Sequence, residues 1–424
     1  MNTKHLKARI LDLALQGKLV ENSRIPTDLN SRIPTDFNPP FKIPNSWAWV
    51  NISDICNSIT AGGDKPKNIS NTKTQDFQIP IYTNAVANQG LYGYTDKPTI
   101  TNEAITISAR GTIGYAAIRT EPFYPIVRLI VLSLNSNLTL TKFIYFAILS
   151  LGIKSEGTST PQLTIPSLKK QLFIPLPPKD EQEKIVKKID ELFEQIDILE
   201  TSKQNLLKNI KHTKTRILDL ALQGKLVENS KISEKSNFGI PTDFKPPFGI
   251  PNSWAWVKLG DICDFQNGFA FKSKDFKNSG YFVIKIANIQ NNEITKENAV
   301  FCEPEICENL ENFSVKRGDI LIAMSGATTG KIGIYNLDEK AFLNQRVGLF
   351  KNFSKNIDKR FFYFVLLTKV EESLKIAIGS AQPNLSTEQI KSFYIPLPPL
   401  DEQERIVKKI DELFEILEVI KNSL

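Results

Sequence analysis

Apolar residues recur after Pro178 at alternating steps of four and three: Ile185, Ile189, Leu192, Ile196, Leu199, Leu206, Ile210, Ile217 and Leu220. Lys203 and Thr213 are the two polar fillers. This spacing keeps one helix face apolar and is the heptad pattern of a coiled-coil seam. Pro177 and Pro178, followed by Asp180, Glu181 and Glu183, suit a helix start, and Gly224 suits its stop. At ~1.5 Å per residue such a helix spans roughly 65 Å. An apolar stripe of that length needs a partner. Ile406, Ile410, Leu413, Leu417 and Ile420 repeat the seam 221 residues later, but the chain ends at Leu424. Leu6, Ile10 and Leu13 match Thr213, Ile217 and Leu220 at a separation of 207. Residues 3–17 are therefore expected to pack near residue 424 and complete a second helix. The two helices then pair antiparallel about an approximate two-fold axis, closing a ring of domain, helix, domain, helix. Pairing between two chains is the competing arrangement, disfavoured because the chain supplies its own partner.

The same offsets run through the rest of the sequence. Arg9–Ser23 recurs unchanged at Arg216–Ser230, and Ile43-Pro-Asn-Ser-Trp-Ala-Trp-Val50 recurs at Ile250–Val257. Ile174–Glu194, opening Ile-Pro-Leu-Pro-Pro, returns at Ile395–Glu415 with two substitutions. Between these blocks the halves diverge. They share a strand-like run into a Gly-containing turn (Ile105–Gly114, Ile320–Gly330), an aromatic-rich helical run, and a Pro-containing loop. The offset grows from 207 to 221, so the second diverged block is 14 residues longer. Repetition on this scale marks a duplicated architecture. The boundaries read as 1–23 (N-terminal helix), 24–173 (first diverged domain with a Pro-rich approach), 174–230 (central helix), 231–394 (second diverged domain) and 395–424 (C-terminal helix). The fold class is α+β: two mixed α/β domains separated by a long antiparallel two-helix coiled coil, pseudo-two-fold and circularly closed.

Charge refines this picture. The net +7 is concentrated in the diverged blocks, with 11 basic against 6 acidic residues over 57–178 and 17 against 15 over 264–399. The central helix region 179–224 holds 9 of each, and 400–424 carries 4 against 7. A modest basic excess in the variable parts fits nucleic acid, and balanced helices fit protein docking. The apolar runs Phe143–Leu151 and Phe361–Leu367 are too short to cross a membrane. The opening Met1–Lys7 lacks the apolar segment of a signal peptide, and four cysteines without framework spacing fit a reducing cytoplasm.

Ile-Pro-x-x-Trp-x-Trp-Val at the start of each domain and Ile-Pro-Leu-Pro-Pro-x-x-Glu-Gln-x-x-Ile-Val at its end resemble the specificity subunits of type I restriction–modification systems. So does Gly318-Asp-Ile-Leu-Ile-x-x-Ser-Gly326. Gly62-Gly63-Asp64-Lys65-Pro66-Lys67 looks like that family's Gly-Gly-Thr-Pro turn, with Asp64 in place of Thr, and Phe269–Phe276 looks like the opening of another domain subtype. The resemblance covers essentially the whole chain. It implies that each variable domain reads one half of a split DNA site, that the helices dock two methyltransferase subunits, and that restriction subunits can join. The chain itself would be non-catalytic, with S-adenosylmethionine, ATP and magnesium confined to partner subunits. A specificity-like subunit of another phage-defence methylation complex, a stand-alone adenine methyltransferase and a coiled-coil scaffold without a DNA role are the competing readings.

Motifs for chemistry in this chain are weak. Asn38-Pro-Pro-Phe41 imitates the tetrad of adenine methyltransferases, but its duplicate reads Lys245-Pro-Pro-Phe248 and no glycine-rich cofactor turn accompanies it. Gly326-Ala-Thr-Thr-Gly-Lys331 imitates a phosphate loop with one residue too few, and Ile332 stands where Ser or Thr belongs. Cys302 and Cys307 have poor zinc spacing, while Cys56 and Cys263 are duplicate positions, as are the only histidines, His5 and His212. No metal site is expected. Trp47, Trp49, Trp254 and Trp256 are shared by both halves, so they read as anchors rather than as discriminators of two sequences. Base reading needs Arg, Lys, Asn or Gln on diverged loops. The candidates are Lys65, Lys67, Asn84, Asn88, Gln89, Arg110 and Gln162 in the first domain. In the second they are Lys272, Lys274, Asn288, Gln290, Lys331, Gln345, Arg346 and Gln382.

Overall fold

The computed structural model describes residues 3–23, 34, 37–154, 161–231, 244–377 and 384–424. The chain is mixed α/β and divides into two compact units, Met1–Lys203 and Gln204–Leu424. The division falls inside a single helix, Lys179–Leu222, so each unit takes one half of it.

Each diverged block begins and ends on a two-stranded clasp made from the repeated motifs. Ala48–Asn51 pairs antiparallel with Phe173–Leu176, setting Trp49 opposite Pro175. Ala255–Lys258 pairs with Tyr394–Leu397 in the same register, with Trp256 opposite Pro396. Proline lacks a ladder N–H, and it is tolerated here because a two-stranded ribbon consists of edges. Everything between the clasp strands is a closed excursion.

The excursions share a core sheet. In the first unit the strand order is Cys56–Ala61, Ile130–Leu134, Ala104–Ile107, Ala116–Arg119; in the second it is Asp264–Asn267, Val347–Lys351, Ile320–Ala323, Ile332–Ile334. Each unit adds a second sheet centred on Ile79–Tyr82 or Tyr281–Ile284. The second unit extends its core sheet with a hairpin, Ile289–Gln290 and Glu293–Ile294, whose Asn291 and Asn292 turn at φ 50° and 66°. This hairpin accounts for part of the added length of the second block.

The helices complete the two cores. Thr141–Leu151 buries Phe143, Ile144, Ala147 and Ile148 together with Ile10, Leu11, Ala14 and Leu15 of the helix Thr3–Leu15. Ile185, Val186, Ile189 and Ile196 of the long helix join the same cluster, while its Ile217, Leu218, Ala221 and Leu222 join the core of the second unit with Ile406 and Ile410. The heptad residues therefore serve mainly as core of the two units. Leu192, Leu413 and Leu417 are half-buried and Ile210 is buried, but Leu199 is 56% exposed, Leu206 37% and Ile420 38%. Lys7 of the first helix pairs with Asp197 at 2.5 Å and covers the Phe193 ring, within the first unit. Lys214 pairs with Glu418 at 2.5 Å and covers Phe414 in the second. Within its own unit, Thr3–Leu15 thus does what the end of the long helix does in the other.

The repeated Glu-Gln at each helix start has a structural cause. Gln182 accepts from Leu140 N at 2.8 Å and donates to Leu138 O and Pro177 O at 2.9 and 3.0 Å. Gln403 repeats this with Asp358 N, Asn356 O and Pro398 O, each at 2.9 Å. Both amides are fully buried, and burial is sustained because their donors and acceptors are engaged. Each pins the loop before an aromatic-rich helix to the scaffold. The repeated Leu-Gln-Gly-Lys is equally constrained. Gly17 and Gly224 end their helices at φ 68° and 66°, and a Cβ on either would lie 2.3 Å from Pro44 Cγ or Pro251 Cγ.

Candidate nucleic-acid interface

In the first unit the diverged loops converge through Asn84. Its Oδ1 accepts from Ala109 N at 2.7 Å, its Nδ2 donates to Val127 O at 2.6 Å, and its backbone carbonyl accepts from Ser108 Oγ at 3.0 Å. Asn84 thus spends its amide holding two neighbouring loops and positions residues around it. Arg110, next along, is exposed and donates to Gln162 Oε1 at 3.0 Å, a link across 52 residues of sequence. The Gly62-Gly63 loop joins the same region, because Val127 N and Arg128 N donate to Gly63 O and Gly62 O at 2.9 and 2.8 Å. That loop carries the exposed Lys65 and Lys67, and Lys65 lies 4.3 Å above the Tyr92 ring centre.

Asn88 and Gln89 occupy an exposed turn at φ 48° and 53°. Arg119 holds this turn from beneath. It is 5% exposed, donates to Gln89 O at 2.6 Å and to Thr106 Oγ1 at 3.1 Å, and stacks 3.6 Å from the Tyr82 ring centre. Burial lowers its pKa from the ordinary value, with Tyr82 and Tyr115 opposing that shift.

The second unit repeats the arrangement with different residues. Leu163 N donates to Ala109 O at 2.9 Å and Leu385 N to Met324 O at 2.8 Å, which aligns Gln162 with Asn384. Asn384 accepts from Arg346 Nη1 at 3.4 Å. Leu129 N to Ile126 O and Val347 N to Asn344 O align Arg128 with Arg346. Sequence reasoning missed Arg128 and Asn384. The alignment that finds them is fixed by backbone bonds, and the surrounding sequences share too little to show it.

The other candidates of the second unit divide. Gln345, Arg346, Lys331, Lys272 and Lys274 are exposed, and Gln290 is half-buried with its amide on Ala287 O at 3.0 Å. Asn288 requires correction. It is 0% exposed, accepts from Lys285 N and donates to Thr295 O and Glu297 O at 2.9, 3.0 and 3.0 Å, so it fixes a loop and cannot meet a base. Gln382 lies outside the described residues.

Ion pairs occur on helices and loops alike: Lys277, Lys296, Arg317 and Lys340 on loops of the second unit pair with Glu303, Glu339, Asp338 and Glu311. Lys7, Lys142, Lys184, Lys188, Lys214, Arg360, Arg405, Lys409 and Lys421 are all paired with carboxylates. Among the described residues, Lys65, Lys67, Arg110, Arg128, Lys272, Lys274, Lys331 and Arg346 have no carboxylate within ion-pair distance. These eight cations keep their charge available to an anion.

Parts of the motifs that imitate catalytic ones make packing and turn contacts, while Asn38 and Lys331 are exposed. Phe41 of Asn38-Pro-Pro-Phe41 lies 5.2 Å from Trp49, and Phe248 lies 5.1 Å from Trp256, ring centre to ring centre. Gly326–Thr328 forms a single 3-10 turn, closed by Thr329 Oγ1 on Gly326 O at 2.7 Å. No group of three or more His, Cys, Asp or Glu able to hold a metal occurs among the described residues, and no helix there is long and apolar enough to cross a membrane.

Residues 44–209 and 251–424 both match the family described as Type I restriction modification DNA specificity domain. The chain belongs to this family. The two matched segments are the two clasped excursions together with the helices that follow them. Among curated relatives, the MjaVIII specificity subunit of a type I restriction enzyme from Methanocaldococcus jannaschii is 27% identical over 88% of each chain. The EcoAI specificity subunit from Escherichia coli is 24% identical over 99% of this chain and 85% of that one. The HsdS subunit from Thermoanaerobacter tengcongensis shares the fold with a TM-score of 0.58 at 18% identity, over 91% and 93% of the chains. A chain from a type I R-M system solved for its complex assembly and conformational transition scores 0.64 at 19% identity, over 91% and 94%.

Proposed function

We propose that this chain is the DNA-reading, non-catalytic subunit of a type I restriction–modification complex, each diverged domain recognising one half of a bipartite, asymmetric site. The observation that carries the reading is the set of exposed cations without carboxylate partners on loops that differ between the halves. Lys65, Lys67 and Arg110 of the first unit and Lys272, Lys274, Lys331 and Arg346 of the second are exposed, with no carboxylate in ion-pair distance among the described residues. Positive charge of that kind attracts phosphates, and the different sets of Arg, Lys, Asn and Gln on the two groups of loops supply differing base preferences. The candidates in this reading are Lys65, Lys67, Asn88, Gln89, Arg110 and Gln162 in the first domain. In the second they are Lys272, Lys274, Gln290, Lys331, Gln345 and Arg346.

The long helices serve as spacer and docking surface for two methyltransferase subunits, with restriction subunits added to that assembly. Exposed Leu199, Leu206 and Ile420 along them are apolar groups that a docked subunit can cover. S-adenosylmethionine, ATP and magnesium belong to the partner subunits, and the complex works in the cytoplasm.

Methylome sequencing tests this reading in a host that carries the chain with its methyltransferase gene, compared with a deletion of this chain alone. A split adenine-methylation motif should vanish with the deletion. Survival of every modified motif would refute the reading.

A further inference from the structure

We infer that Val127 and Arg128 form a specificity-determining tip of the first domain, an inference that rests on the DNA-reading role proposed above. They make a turn at φ 55° and 59°, between Tyr124–Pro125 and Ile130–Leu134. The left-handed region crowds the Cβ of an L-residue, and a β-branched side chain there is a genuine outlier. The aligned turn of the second unit, Gln345–Arg346, has no positive φ. The geometry is thus particular to the first domain.

Three bonds hold the strained turn in place: Val127 N to Gly63 O at 2.9 Å, Arg128 N to Gly62 O at 2.8 Å, and Asn84 Nδ2 to Val127 O at 2.6 Å. Gly62 is itself constrained, since a Cβ there would lie 2.7 Å from Ile126 N. Neither side chain repays this by filling the core. Val127 is 42% exposed, and Arg128 is exposed with no carboxylate in ion-pair distance among the described residues. Strain enforced by the surroundings, for side chains that face solvent, points to recognition rather than folding. The pair suits the major-groove edge of adjacent base pairs. Valine methyls fit a thymine C5-methyl, and the guanidinium can donate to guanine O6 and N7. Arg110 and Gln162, tied to the same loops through Asn84, would flank it.

The test incubates the full chain, assembled with its methyltransferase subunits, with a pool of randomised duplex DNA and sequences the retained fraction. Wild type is compared with Val127→Gly, Arg128→Ala and Arg128→Lys, and thermal melting is recorded for each. Arg128→Ala should lose about tenfold preference at one base pair of the first half-site. Arg128→Lys should not restore it, because lysine lacks the planar fork. Val127→Gly should weaken a neighbouring position without lowering the melting temperature, since glycine relieves the backbone. The second half-site should be unchanged throughout. A lower melting temperature for Val127→Gly, or unaltered preferences in all three variants, would overturn the inference. So would a uniform loss across all sequences, which makes Arg128 a phosphate contact. A wild-type assembly that selects no sequence defeats the DNA-reading role itself, so the two failures are told apart.

Discussion

Trp47 and Glu181 are separated by 134 residues in sequence, yet Trp47 Nε1 donates to Glu181 Oε1 at 2.9 Å. Ser23 N donates to the other oxygen, also at 2.9 Å. Trp254, Ser230 and Glu402 repeat the arrangement at 2.9 and 3.0 Å. Both carboxylates are fully buried at the first turn of a helix, where the peptide dipoles favour negative charge. Removing one donor leaves a buried charge short of a partner. Trp47→Phe and Trp254→Phe should each destabilise the chain by ~1–3 kcal/mol, read as a lower urea midpoint. A midpoint unchanged in both would show that the indole bond contributes nothing.

Glycine substitutions should separate positions that need glycine from one that does not. Gly17→Ala and Gly224→Ala meet both a positive φ and a Cβ contact at 2.3 Å. Each should cost more than ~1 kcal/mol by denaturant titration. Gly63 has nothing within 4 Å of its would-be Cβ, so Gly63→Ala should be near neutral. Equal costs at the three positions would contradict the packing described.

Asn288 and Arg346 should behave oppositely. Asn288→Ala breaks three bonds at a fully buried site and should lower stability by ~1–3 kcal/mol with base preference intact. Arg346→Ala removes an exposed cation, so it should melt like wild type while altering recognition of the second half-site. Melting curves and selection from a randomised duplex pool check both. An altered base preference in Asn288→Ala with normal melting would make Asn288 a base contact and not a loop anchor.

Burial pushes the Cys263 and Cys56 thiols up from 9.0 to about 12, desolvation being the largest cause for each. Neither thiolate should form at pH 8 in the folded chain, and alkylation should wait for unfolding. The folded-state values lie above the unfolded ones. The linked stability is therefore complete below about pH 9 and is lost as pH rises toward 12. Rapid alkylation of native protein at pH 8 would contradict this.

The repeat made the clasps and anchors legible. Trp-x-Trp-Val and Ile-Pro-Leu-Pro-Pro, present twice with matched spacing, had to be scaffold, and they pair strand to strand in identical register. The heptad stripe is ambiguous in the sequence. Ile185, Ile189 and Ile196 are apolar because they seal a mixed core, and periodicity alone cannot distinguish that from a facing helix. Loop residues were hardest. Asn288 sits in a polar run that reads as exposed, and its burial depends on carbonyls seven and nine residues onward. Asn384 emerges only when Leu163 and Leu385 bond to the same backbone position in each unit, and Arg128 only when Leu129 and Val347 do.

The clasps also bear on how such a chain can change. Because Ala48–Asn51 lies beside Phe173–Leu176, and Ala255–Lys258 beside Tyr394–Leu397, each excursion has adjacent ends set in one shared register. An excursion can then be treated as a cartridge. Exchange of genetic material within the repeated blocks would seat a foreign excursion on ends that already fit, with the Trp–Glu and Gln contacts waiting to receive it. A new target can arise in one event by re-sorting existing cartridges, without passing through a series of weakened intermediates.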